Sequence, residues 1–311
     1  MPHDGEVLAR IRHLHLHARH VVDALMAGGH RSVQVGNAVE FADYQAYTPG
    51  VDPRAIDWRV WARTDRMMVR RFERETEVPC RLVLDLSGDV GTGADASSGR
   101  PDLQGTKAGY ALTLAATLAY FLHLQGEPVG LEIVAGEGAP FTSVPPKRGR
   151  RHLQTILRVL ASVRPGGRAD LGSALERIGA SMRKRSWVAI LTDGMEEPSG
   201  WLPALGVLSR RGADLRFLHL LDVEEWLLTE DTPARWYSPE GGEEIAIDPV
   251  DARSAMREVV FDYLREVRGG VVVGGGRYIA TPTHRPIGKV LRALVLNHRS
   301  EAIPEVGWAP N

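Results

Sequence analysis

Two short segments set oxygen-bearing side chains at the ends of apolar runs: Asp85-Leu86-Ser87-Gly88-Asp89, and Thr192-Asp193-Gly194 after Trp187-Val188-Ala189-Ile190-Leu191. Carboxylates and hydroxyls are hard donors of the kind that hold magnesium together with several waters. Asp85, Ser87, Asp89 and Asp193 are therefore the candidate magnesium ligands. Aspartates at strand ends also serve a second role, accepting backbone N–H bonds to cap turns. Between the two segments, Gly166-Gly167-Arg168-Ala169-Asp170-Leu171 reads as a loop entering a helix, with Asp170 placed as its N-cap.

The elements that must position these groups follow from periodicity. Short apolar runs alternate with helical segments from residue 80 onward, the pattern of a parallel sheet with crossover helices. Strands are expected at 81–86, 129–134, 187–192, 214–220 and 271–280. Helices are expected at about 106–125, 149–163, 171–183, 199–211 and 251–268, with a last one from 286. In such sheets ligands collect beyond the carboxyl ends of the strands, where strand order reverses, and that is where Asp85, Ser87, Asp89 and Asp193 fall. Ahead of this region, residues 8–27 carry apolar side chains at helical spacing, and residues 31–79 are turn-rich, with an alternating segment around Met68–Phe72. The expected organisation is an N-terminal helix and irregular β-rich segment over 1–79, an α/β domain over 80–300 with a hairpin excursion at about 222–248, and a tail over 301–311.

The order strand-Asp-x-Ser-x-x, Gly-Gly loop into a helix, and apolar strand-Thr-Asp-Gly resembles the von Willebrand factor A domain with its metal-ion-dependent adhesion site. Upstream, Glu40-Phe41-Ala42-Asp43-Tyr44, Tyr47-Thr48-Pro49-Gly50, Arg54-Ala55-Ile56-Asp57-Trp58-Arg59, Ala62-Arg63-Thr64-Asp65 and Val69-Arg70-Arg71-Phe72-Glu73 resemble the bacterial domain-of-unknown-function family 58. The resemblance implies a doubly wound, mostly parallel sheet flanked by helices. It also implies a binding or assembly factor rather than an enzyme, an adaptor between a MoxR-type AAA+ ATPase and a protein client; a cytoplasmic location is the expectation from the single cysteine and the N-terminal sequence. Asp85, Ser87, Arg168, Asp170 and Asp193 would then face the partner. Two positions depart from the adhesion-site pattern: Asp89 stands where a serine is usual, and Ala169 where a threonine is. Three ionised aspartates around a divalent ion would leave the rim negative and repel a partner's carboxylate. Arg168 offers another arrangement, a guanidinium paired with Asp85 or Asp89 in place of the cation.

The same residues admit other classes. A phosphotransferase of the haloacid dehalogenase type also ends its first strand in aspartate, but its general acid sits two residues on, where this chain has Ser87. A structural oligomer subunit is the third reading. His13, His15, His17 and His20 look like a metal tract, yet only 13, 17 and 20 share a helix face, which fits a solvated surface. Charged residues from Asp52 to Asp65 around Trp58 and Trp61 either pin the N-terminal segment to the sheet or form a partner surface.

Composition sets the outer limits. The chain has 311 residues, 43% hydrophobic and 25% charged, enough for a sizeable core. Its net charge of −1 gives no field to attract nucleic acid. One cysteine, Cys80, excludes an internal disulfide and suits a reducing compartment. The uncharged stretch 108–122 is shorter than a membrane span, so no membrane span is expected. The start of the chain lacks a signal-peptide pattern.

Overall fold

Uninterrupted burial shapes the centre of the molecule. The strand runs Cys80–Asp85 and Val129–Val134 are buried at every position, as strands covered on both faces must be. The structure, a computed structural model, describes residues 4–27, 41–48, 56–72, 78–87, 106–135, 141–182, 185–222, 234–236, 245–247 and 249–295. They divide into two compact units, one drawn from 1–33 and 79–311, the other from 34–78.

The larger unit starts with α1 (Asp4–Ala27). It continues through β3 (Cys80–Asp85), α3 (Lys107–Leu124), β4 (Val129–Val134), β5 (Phe141–Lys147), α4 (Arg150–Ser162), α5 (Leu171–Ser181), β6 (Ser186–Thr192), α6 (Pro198–Arg210) and β7 (Ala213–Leu221). After the short strands β8 (Ala234–Trp236) and β9 (Ile245–Ile247), it closes with α7 (Pro249–Val273), β10 (Arg277–Pro282) and α8 (Ile287–Val295). Six strands form one sheet in the order β10-β7-β6-β3-β4-β5, parallel throughout except for the antiparallel edge β5. This is the expected doubly wound α/β architecture, consistent with a von Willebrand factor A-like fold. The order reverses between β3 and β6, which fixes the switch point there.

Side chains from alternate strand positions, among them Val83, Val188, Ile190, Phe217 and Tyr278, pack with α5, α6 and α7. Phe217 stacks between Trp201 at 5.1 Å and Tyr278 at 6.2 Å. The other alternation, including Leu82 and Leu84, faces away from that cluster, and α3 contacts β3 and β4. Helix α1 packs on α3, α4 and α8 through Leu14, Ala18, Val22 and Leu25.

Two expectations need correction. Residues 271–276 read as strand, but α7 runs through Val273 and the strand begins only at Arg277. Val260, Leu264, Val267 and Val271 are buried at helical spacing, so packing overrides the β-preference of the valine run, and Gly275, with φ +80°, turns the chain into β10. The second is β5, a strand in a segment that had no strand assigned. Pro145 and Pro146 speak against a central strand but suit an edge, and Gly130 on β4 leaves the room that the Pro146 ring needs.

In the smaller unit, β1 (Phe41–Ala46) pairs antiparallel with β2 (Met68–Phe72). Between them α2 (Trp58–Thr64) is capped by Asp57, which accepts from the N–H groups of Arg59 and Val60. Trp58 and Trp61 meet edge to face at 5.9 Å and are both exposed. Asp52 and Arg54 lie outside the described residues.

Candidate functional site

Parallel register decides what meets at the switch point. Leu84 of β3 lies opposite Leu191 of β6, so the next residues, Asp85 and Thr192, finish side by side. Thr192 Oγ1 donates to Asp85 Oδ2 at 2.7 Å and accepts from the Gly194 N–H at 2.9 Å. Asp85 Oδ1 accepts from the Ser87 N–H at 2.9 Å, and the Ser87 hydroxyl also bonds this carboxyl. Burial, and then the charge of Asp193, push Asp85 up to about 7, so near neutral pH it is protonated much of the time.

Asp193 is balanced by a full charge. Lys107, the first residue of α3, places Nζ 2.9 Å from Asp193 Oδ2, with the two side chains 0% and 1% exposed. An ammonium at a helix N-terminus opposes the helix dipole, and burying it is costly without a partner. The carboxylate offsets both. The Asp193 main chain is held as well: a carbonyl oxygen can only accept, so His219 Nε2 is the donor in their 2.7 Å bond. That assigns Nδ1 as acceptor from the Tyr278 hydroxyl at 2.9 Å. Burial lowers His219 to about 4, keeping the ring neutral. Gly194 has φ +66°, and a Cβ there would lie 3.1 Å from His219 Nε2, so glycine meets both demands. Tyr263 donates its hydroxyl to the Gly194 carbonyl.

The Gly-Gly loop reaches the same rim, where the Gly166 N–H donates to the Leu86 carbonyl at 2.9 Å. Asp170 caps α5 through the Ser173 N–H at 2.9 Å, and Glu196 accepts from the Leu171 N–H at 2.9 and 3.2 Å. The turn after β6 is thereby tied to the start of α5.

The structure thus brings Asp85, Ser87 and Asp193 together beneath the surface, and leaves Arg168 and Asp170 exposed, Asp170 as a helix cap. Asp89 lies outside the described residues. Sequence reasoning missed Lys107, His219 and Glu196, and counted Thr192 only as part of a motif. The signal for Lys107 was its place at the head of an uncharged apolar helix, where a lone lysine has to find a carboxylate.

The described donors do not fit a divalent cation. Asp193 Oδ2 is already held by a buried ammonium, whose charge would repel a second cation, and both Asp85 oxygens accept hydrogen bonds. Among the described residues no three His, Cys, Asp or Glu side chains are grouped to hold a metal ion, the histidines of α1 included. No helix among them is long and apolar enough to cross a membrane.

Comparison with known proteins places the chain in a family. Residues 43–268 match the family described as "Protein of unknown function DUF58". An uncharacterized protein of Mycobacterium tuberculosis, Rv1480, is 29% identical over 274 residues, 86% of this chain and 83% of its own. The uncharacterized protein Mb1516 of Mycobacterium bovis matches to the same extent. A solved structure of the conserved hypothetical protein BatB from Bacteroides thetaiotaomicron aligns with TM-score 0.43 and 17% identity, over 69% of this chain and 95% of that one.

Proposed function

From the premise that the chain belongs to the DUF58 family, we propose that it is a non-enzymatic protein-binding adaptor that acts with a MoxR-type AAA+ ATPase through the strand-end rim of a von Willebrand factor A-like unit. The observation that carries this reading is the closed charge balance at the switch point. Asp193 is neutralised by Lys107, and Asp85 is covered and held well above the usual carboxylate range by burial and by Asp193. A carboxylate nucleophile has to be ionised and reachable, whereas Asp85 is buried and raised to about 7 by that burial and by Asp193, which argues against the phosphotransferase reading.

Buried polar groups in this reading are scaffolding. They fix the ends of β3 and β6 and the start of α5, so that exposed Arg168, Asp170 and Met195 present a fixed surface to a partner. The test is capture of the MoxR-type ATPase from the same genome by the purified full-length chain. Arg168→Glu should weaken capture about tenfold or more, a typical size for a charge reversal at a close contact, while the melting curve stays put. Equal capture by the variant would remove the rim from the proposal, and a wild-type chain that captures no ATPase would remove the adaptor role.

A further inference from the structure

A site of this shape is one where a divalent ion could neutralise converging acids, and here a side chain of the protein stands in its place. Lys107 Nζ lies 2.9 Å from Asp193 Oδ2, and the lysine is fully buried. It arrives there from α3, whose N-terminus is held separately by Thr106 accepting from the Gly109 N–H at 3.0 Å. The helix is thus anchored with its first residue aimed at the carboxyl end of β6. His219, held neutral by burial, spends its N–H on the Asp193 carbonyl. Asp85, the second acid, is satisfied by Thr192 and Ser87 hydrogen bonds.

We propose that Lys107 is a tethered cation that permanently replaces a divalent ion at the switch point, so that the rim is preformed and metal-independent. This inference does not rest on the identity of the partner. A resident ammonium differs from an exchangeable ion in three ways. It cannot be removed by chelation, it supplies a single positive charge that one carboxylate matches, and it has no open coordination position for a partner's carboxylate. On the adaptor reading proposed above, on which this last step rests, a partner would be recognised at this rim through protein groups alone.

The test has two arms. In the first, the wild-type chain is melted in EDTA and in 5 mM magnesium or manganese. A cation that binds only the folded form raises the melting temperature by mass action, and the expected result is three superimposable curves. A rise of a few degrees in either metal overturns the proposal. In the second, Lys107→Met is compared with the double variant Lys107→Met, Asp193→Asn. Removing one member of a buried ion pair strands the other, so the single variant should melt roughly 10 °C lower, and the double variant should recover at least half of that loss. A single variant that melts like the wild type, or a double variant that melts no higher than the single, overturns the pairing. If Lys107→Met does not fold at all, recovery of a folded chain in the double variant supports the pairing, and failure of both to fold overturns it.

Discussion

Thr192 is the residue on which the two strand ends are joined. Its hydroxyl donates a hydrogen bond to Asp85 and accepts one from the Gly194 N–H, so one oxygen satisfies two buried groups. Thr192→Val keeps the shape and leaves both unpaired, which should cost about 2–3 kcal/mol in urea unfolding, whereas Thr192→Ser should cost less than about 1. His219 supplies a prediction in pH. Its folded value of about 4 lies below the ordinary 6.5, so the unfolded chain binds the proton more readily. The stability it contributes is complete above about 6.5 and is lost as pH falls through about 4. Asp85, raised to about 7, has the opposite sign, its contribution fading as pH rises, and it is common to both chains when wild type and His219→Gln are compared. The wild type should therefore lose about 2 kcal/mol more than the variant between pH 7 and pH 4.5, read from urea unfolding at each pH. A difference independent of pH would show that the ring is not held neutral. At this scale the sequence displayed the acids well, because an apolar run ending in aspartate is a local pattern. Lys107 is 86 positions from Asp193, and His219 reads as one polar residue in an apolar strand. Only the crossover of α3 and the parallel register make either one part of the site.

Among the elements, α5 and α6 approach most closely where Gly172 of α5 meets Gly200 of α6. A Cβ on Gly172 would lie 2.4 Å from the Gly200 carbonyl oxygen, a backbone atom that cannot swing aside. Gly200 itself has open space where its Cβ would be. The two glycines of one contact should thus respond in opposite directions. Gly172→Ala should destabilise by about 1–3 kcal/mol despite the better helix propensity of alanine, and Gly200→Ala should be neutral or stabilising by up to about 1 kcal/mol. Thermal melts of the two variants decide it, and equal effects would mean that the helices are not in contact there. Five of the six sheet strands were legible as elements, because buried parallel strands are continuous apolar runs flanked by amphipathic helices. The failures lie where a local preference meets a tertiary one. Val271 and Val272 carry strand-like side chains on a helix whose partner α6 has already fixed its face, and Pro145-Pro146 hides a strand because only its place at the sheet edge makes proline acceptable.

For the whole molecule, chain order and structural partition differ. The chain leaves the larger unit after α1, forms the smaller unit over 34–78, and returns at β3. Helix α1 is thus separated from its partners α3, α4 and α8 by the length of another unit, yet it buries Leu14, Ala18, Val22 and Leu25. Full burial of Leu14, Val22 and Leu25 at roughly 1.5–3 kcal/mol each gives about 5–9 kcal/mol as an upper bound. That is comparable to the whole stability of an ordinary domain, about 5–15 kcal/mol. Two deletions of similar size should therefore behave differently. Removing residues 1–33 exposes the faces of α3 and α4 that α1 covers, and the product should aggregate or lose its cooperative transition. Replacing 34–78 by a flexible Gly/Ser linker of about 20 residues, which adds only a slowly growing closure entropy, should leave a soluble chain with a single urea transition. If the first deletion unfolds as cooperatively as the intact chain, α1 is not part of the core of the α/β unit; if the second has no cooperative transition, the α/β unit depends on residues 34–78 to fold. The rim residues all lie in the larger unit, so the linker chain also separates the two roles of the smaller one. If it captures the ATPase as well as the full chain does, the Trp58–Trp61 surface is dispensable for that contact. If capture is lost while the fold persists, that surface is a second contact with the partner.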